Sequence, residues 1–115
     1  MQIWTLSADA HFFLQAAEQD LIELKAYLVQ RFGKTTWRAS YKKIKDAVGK
    51  LESFPQAGTI PDELRGLHST QYPQVVAGMN RIIYEVREQT IFIHIVCDAR
   101  KDMASLLMRR LLRDG

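Results

Sequence analysis

Two side chains in the second half of the sequence pair a chemically useful group with a β-prone setting. They are Arg81, at the head of the apolar run 81–87, and His94, inside the run 90–97. A guanidinium on a sheet surface can clamp a phosphate with two donors, or it can pair with a carboxylate such as Glu85 or Glu88 across a hairpin. An imidazole titrates near neutral pH and can carry a proton, but between Phe92 and Val96 on one strand face it equally fits a hydrogen-bonded sheet position. Cys97, the single cysteine, lies in an apolar run, where a thiol's pKa rises and the group packs rather than reacts. His11, His68 and His94 lack metal-site spacing, and there is no glycine-rich phosphate loop, paired-cysteine motif or GxSxG elbow, so neither a metal nor a cofactor is expected.

A second set of candidates is cationic. Arg100, Lys101, Arg109, Arg110 and Arg113 face only Asp102 and Asp114 in the final segment. Basic residues in the last turns of a helix favour the negative end of its dipole, which is a purely structural role. The same cluster would dock an acidic partner or nucleic acid. The cations of the run 35–51, namely Arg38, Lys42, Lys43, Lys45 and Lys50, read as a solvated helical face.

The elements that must position these groups can be read from periodicity. Ile3, Trp4, Thr5 and Leu6 form a short β-prone run, and Ser7 can cap the element after it. From residue 8 to about residue 30 the pattern is helical, with Phe13, Ala17, Leu21, Leu24 and Leu28 on one face and Gly33 as the stop. A second helix begins near Thr35 or Thr36, either able to cap it, with Trp37, Tyr41, Ile44, Val48 and Leu51 as its seam. The short connection implies an antiparallel helical hairpin. Pro55, Gly58 and Pro61 mark a structured loop over 54–67.

Strands are expected at 72–79, 81–87 and 90–97, the last two joined by a turn at Glu88 and Gln89. Alternation places Ile82, Tyr84 and Val86 opposite Arg81, Ile83, Glu85 and Arg87. It likewise places Ile91, Ile93 and Ile95 opposite Phe92, His94 and Val96. A helix over 101–113 closes the chain, with Met103, Leu106, Leu107 and Leu111 apolar. The expected fold is α+β in the order β-α-α-β-β-β-α: a helical hairpin packed on a small antiparallel sheet with a C-terminal helix, one domain over 1–115.

Composition agrees with an ordinary globular protein: 115 residues, 47% hydrophobic, 25% charged and net charge +3. A chain of this size can bury a modest core without disulfides, which one cysteine could not form internally. There is no secretory leader pattern and no run of about 20 apolar residues, so a cytoplasmic protein with no membrane partner is expected. The basic balance favours an anionic partner.

The ordered series of motifs carries more than any one of them. NRIIYEVR at 80–87, IFIHIVCDARKD at 91–102 and LLMRRLLR at 106–113 resemble the C-terminal half of RelE/ParE-superfamily toxins. DLIELKAYL at 20–28 with Phe32 and Gly33 resembles the first helix and its stop. Leu51, Pro55, Gly58 and PDELRGL at 61–67 resemble the loop leading into the sheet. The resemblance covers nearly the whole chain and is closer to the ParE branch. It implies the toxin of a type II toxin–antitoxin module, of the plasmid-stabilising kind, held in a hetero-oligomer by a cognate antitoxin that wraps it with an amphipathic segment.

Two activities occur in that superfamily: poisoning of DNA gyrase, and cleavage of mRNA on the ribosome. Arg81 matches an arginine that serves the phosphate in the RNA-cutting members, and His94 or Glu63 would then supply the base. The segment 98–102 lacks the tyrosine or histidine that several nucleases place there, and strand 72–79 has no lysine cluster. The resemblance therefore favours gyrase inhibition without chemistry of its own. The surfaces expected to contact partners are Arg81, Arg100, Lys101, Arg109, Arg110 and Arg113. The alternatives are an endoribonuclease and a non-toxic binding module that kept the fold.

Overall fold

A computed structural model describes residues 10–66 and 71–112. The order is β1 (Ala10–Phe13), α1 (Gln15–Phe32), α2 (Lys34–Ser53), α3 (Asp62–Arg65), β2 (Gln74–Ala77), β3 (Asn80–Arg87), β4 (Thr90–Asp98) and α4 (Met103–Leu107), which continues as a π-helical turn, Met108–Leu112. The sheet order is β1-β4-β3-β2. β2, β3 and β4 form the expected antiparallel meander, and β1 adds parallel to β4, so the four-stranded sheet is mixed.

β1 occupies a stretch that periodicity assigns to the first helix. Ala10 to Phe13 pair with Thr90 to Ile93, and the Leu14 amide donates to the Ile93 carbonyl at 3.0 Å, so strand pairing overrides local helical spacing. The helix begins only at Gln15. The β-prone run 3–6 and Ser7 lie outside the described residues.

The hairpin turn also differs from expectation. Gly33, at φ +96°, ends α1 by donating to the carbonyls of Leu28 and Val29 and begins α2 in the same residue. A one-residue reversal at positive φ leaves no room for a threonine cap, so Thr35 and Thr36 fall inside α2. Only the C-terminal half of the α2 seam is core: Ile44, Val48 and Leu51 are buried, whereas Trp37 and Tyr41 stack on each other at 5.1 Å beyond the core.

Two apolar clusters flank the sheet. Ala17 of α1 and Ile44, Val48 and Leu51 of α2 pack on Ile82, Tyr84, Ile91, Ile93 and Val96. On the opposite face Ile83, Ile95 and Cys97 pack against Leu64 of α3 and Met103 and Leu107 of α4. Ile95 thus lies opposite Ile91 and Ile93, not beside them as simple alternation requires. The cause is a β-bulge: Ile83 pairs with Ile95 and Tyr84 with Ile93, leaving His94 as an extra residue.

The loop 54–61 is anchored from below. The fully buried Tyr84 hydroxyl donates to the Pro55 carbonyl at 2.8 Å and accepts from the Gly58 amide at 3.0 Å. A Cβ on Gly58 would lie 2.5 Å from that oxygen, so glycine is required by close approach. Within the expected loop, Asp62–Arg65 form a single helical turn that buries Leu64. β2 is shorter than the run 72–79 because Pro73 has no amide to donate and Gly78, at φ +64°, opens the turn to β3.

Candidate functional site

Arg81 stands at the head of β3 on the face away from the helical hairpin. Its guanidinium donates two parallel hydrogen bonds to Glu63 of α3, at 3.0 and 2.8 Å, while its Nε donates to the Gln74 side chain at 2.7 Å. The Arg81 side chain is only 14% exposed. The hydrogen bonds from Arg81 hold the Glu63 carboxyl below its ordinary pKa, outweighing the opposing effect of burial. In return the carboxylate raises the arginine's pKa. Such a pair is closed on itself, and an incoming phosphate would have to displace the carboxylate.

His94 sits elsewhere on the same face. Its Nε2 lies 2.9 Å from Glu85, which also accepts from Arg87 at 3.0 Å and Gln71 at 2.9 Å. Burial pushes the Glu85 carboxyl up, but its partners Arg87, Gln71 and His94 outweigh it and bring the pKa down to about 2. Tyr72 packs edge-on against the His94 ring. Arg87 lies 4.8 Å over Phe92, which stacks on Phe12 of the edge strand.

Four residues along a strand separate Arg81 from Glu85, about 13 Å at the usual rise. The three residues that an RNA-cutting site would use are therefore divided between two ion-paired clusters. Arg81 and Glu63 face each other as partners, and His94 turns one ring nitrogen to a carboxylate. Cys97 is buried, and burial drives its thiol pKa up to about 11, the packing role expected for it.

The C-terminal cations are also sorted. Arg100 is bidentate to Asp98, both bonds at 2.8 Å. Arg110, on the π-helical turn, donates to both oxygens of Asp20 in α1, at 3.1 and 3.0 Å, and to the His94 carbonyl. Asp20 accepts in addition from the Val96 amide at 2.9 Å. Asp20 and Arg110 thus satisfy the Val96 amide and the His94 carbonyl and tie α1, β4 and the C-terminal turn at one point. The C-terminal segment is not one regular helix over 101–113. Asp102 caps α4 through the Ser105 amide and hydroxyl, and the wider turn beyond α4 carries Arg110.

Lys101 and Arg109 are exposed and make no ion pair among the described residues. Arg113 lies outside those residues. Both exposed cations line an open groove of about 760 Å³ between α1 and α4, walled on the other side by Glu23, Leu24 and Tyr27. No group of three or more His, Cys, Asp or Glu among the described residues could hold a metal ion, and no helix there is long and apolar enough to cross a membrane.

Arg81, His94, Glu63 and the basic tail stand out in the sequence. So does Glu85 as a carboxylate for a hairpin arginine, which proves to be Arg87 and not Arg81. Asp20 and Gln74, which engage Arg110 and Arg81, do not stand out. Asp20 did leave a signal. It lies three residues after Ala17 and four before Leu24, a carboxylate on the apolar side of an amphipathic helix.

Residues 12–103 match the family model described as the ParE toxin of the type II toxin–antitoxin system parDE. The chain belongs to the ParE toxin family. Solved structures of the same fold include one described as a chromosomal ParDE toxin–antitoxin system from P. aeruginosa. It is 13% identical with a TM-score of 0.65, over 82% of this chain and 97% of that one. A mutant of the E. coli toxin RelE in the free state is 16% identical with a TM-score of 0.53, over 86% of this chain and 92% of that one. No curated protein sequence matches the chain. At these identities the likeness to solved structures establishes the fold; the family rests on the ParE match.

Proposed function

We propose that this ParE-family toxin acts as one domain in the cytoplasm, inhibits DNA gyrase by protein contact without bond chemistry of its own, and is silenced by a cognate antitoxin. The observation that carries the reading is the closed Arg81–Glu63 pair. At the position where RNA-cutting relatives would aim a cation at the scissile phosphate, this chain holds a guanidinium already bidentate to a carboxylate, with Gln74 on its third donor site. Arg81 is then a structural residue that fastens α3 to the sheet. His94, engaged by Glu85, does the same for the bulge.

Induced expression tests this in cells. Thymidine incorporation should fall before methionine incorporation does, cells should filament, and co-expression of the antitoxin should restore growth. Immediate arrest of protein synthesis with DNA synthesis intact would overturn the reading in favour of mRNA cleavage on the ribosome, with Arg81, His94 and Glu63 as the residues to mutate. Unimpaired growth would leave a binding module that kept the fold.

A further inference from the structure

Of the cations that the basic tail presents between Arg100 and Arg110, internal carboxylates take two. Arg100 belongs to Asp98, and Arg110 belongs to Asp20. Lys101 and Arg109 remain, both exposed, on the α4 wall of the groove. Asp102, between them in sequence, is occupied as the cap of α4. The facing wall is of the opposite sign. Asp20 there is taken by Arg110, while Glu23 meets only the Gln19 side chain, at 3.4 Å, among the described residues. Leu24 and Tyr27 of α1 and Leu106 of α4 line the same groove. The groove therefore combines apolar side chains with walls that carry free charges of opposite sign.

We infer that this groove seats an acidic, partly apolar segment of the antitoxin, with two carboxylates on Lys101 and Arg109 and an apolar side chain between Leu24 and Leu106. The inference rests on the toxin reading above and adds to it the place, chemistry and direction of the contact. Lys101 precedes α4 and Arg109 follows it on the π-helical turn, so each cation meets its own carboxylate of the segment. An acidic edge toward α4 and a neutral or basic edge toward Glu23 fix which way round the segment lies, since the reverse placement sets like charges together on both walls.

The test uses the intact toxin and the antitoxin that silences it in the growth assay. Removing a charge-assisted pair costs roughly tenfold or more in affinity, so reversing both cations in the double variant K101E/R109E should weaken binding by about 100-fold or more. A control of equal charge change on the exposed face of α2, R38E/K50E, should stay within about threefold of wild type. Both double variants should melt with the wild type, because none of these four side chains is in an ion pair among the described residues. Lysines placed at the two acidic antitoxin positions should restore binding to K101E/R109E.

If the antitoxin binds K101E/R109E as tightly as wild type, or no more weakly than R38E/K50E, the groove is not its seat and the toxin reading stands. If no partner silences the wild-type chain, the toxin reading falls and takes this inference with it.

Discussion

Replacing Asp20 with alanine removes three contacts at one stroke: two hydrogen bonds from Arg110 and one from the Val96 amide. The side chains of Arg110 and Asp20 are 19% and 15% exposed, so the pair is mostly desolvated. Truncating one partner of a fully buried pair costs about 3–5 kcal/mol, because the other charge is left unsolvated and uncompensated. With part of each side chain still wet, the lower end applies, about 3 kcal/mol, and the orphaned Val96 amide adds about 1 kcal/mol. Domains of this size hold about 5–15 kcal/mol in all, so D20A should lose a large share of it and melt about 15 °C or more below wild type. Urea denaturation followed by circular dichroism measures the loss directly. R110M should be nearly as harmful, since it strands the Asp20 carboxylate. The double variant D20A/R110M should recover about 2 kcal/mol relative to the sum of the single losses. Single losses under about 1 kcal/mol, or losses that simply add, would refute the claim that this pair fastens the bulge.

Three further outcomes are expected from the same geometry. Tyr84→Phe leaves the Gly58 amide and the Pro55 carbonyl without their partner, so it should cost about 1–3 kcal/mol in urea denaturation. Cys97, buried with its thiol pKa raised to about 11, should react with a thiol reagent at neutral pH only after unfolding; labelling of the native protein at the unfolded rate would contradict its placement. Glu85 has a folded pKa of about 2, below the ordinary 4.5. Its stabilising contribution should be fully present above about pH 4.5 and lost as pH falls toward 2, and the Glu85→Gln variant should show a shallower acid slope in denaturation measured from pH 6 to 2.5.

Much of the architecture is legible in the sequence because hydrophobic period and turn residues speak locally. The 3.6-residue spacing of Ala17, Leu21, Leu24 and Leu28 and the glycine at position 33 specify the first helix and its end. The alternating apolar residues of 81–87 and 91–97, with a two-residue turn between them, specify a hairpin. The features that escape depend on partners distant in sequence. β1 is a strand because β4 runs beside it, although Phe13 also fits a helical face. The bulge at His94 has no local marker; it is held by Asp20 and Arg110, 90 residues apart. For the same reason the candidate site is half legible. Arg81 and the basic tail are visible as residue types, but whether a cation is free or paired depends on carboxylates supplied by other elements. Glu63 is the instructive case: its residue type suits a general base, and the fold uses it to neutralise Arg81.

The most direct test of gyrase inhibition is a cleavage assay with purified toxin, gyrase, ATP and supercoiled plasmid, scored for linear DNA trapped on the enzyme. Linear DNA should rise with toxin, disappear when antitoxin is added first, and persist with Arg81→Lys, which keeps the charge facing Glu63. No linear DNA at a large excess of folded toxin, together with mRNA cut on added ribosomes, would contradict it.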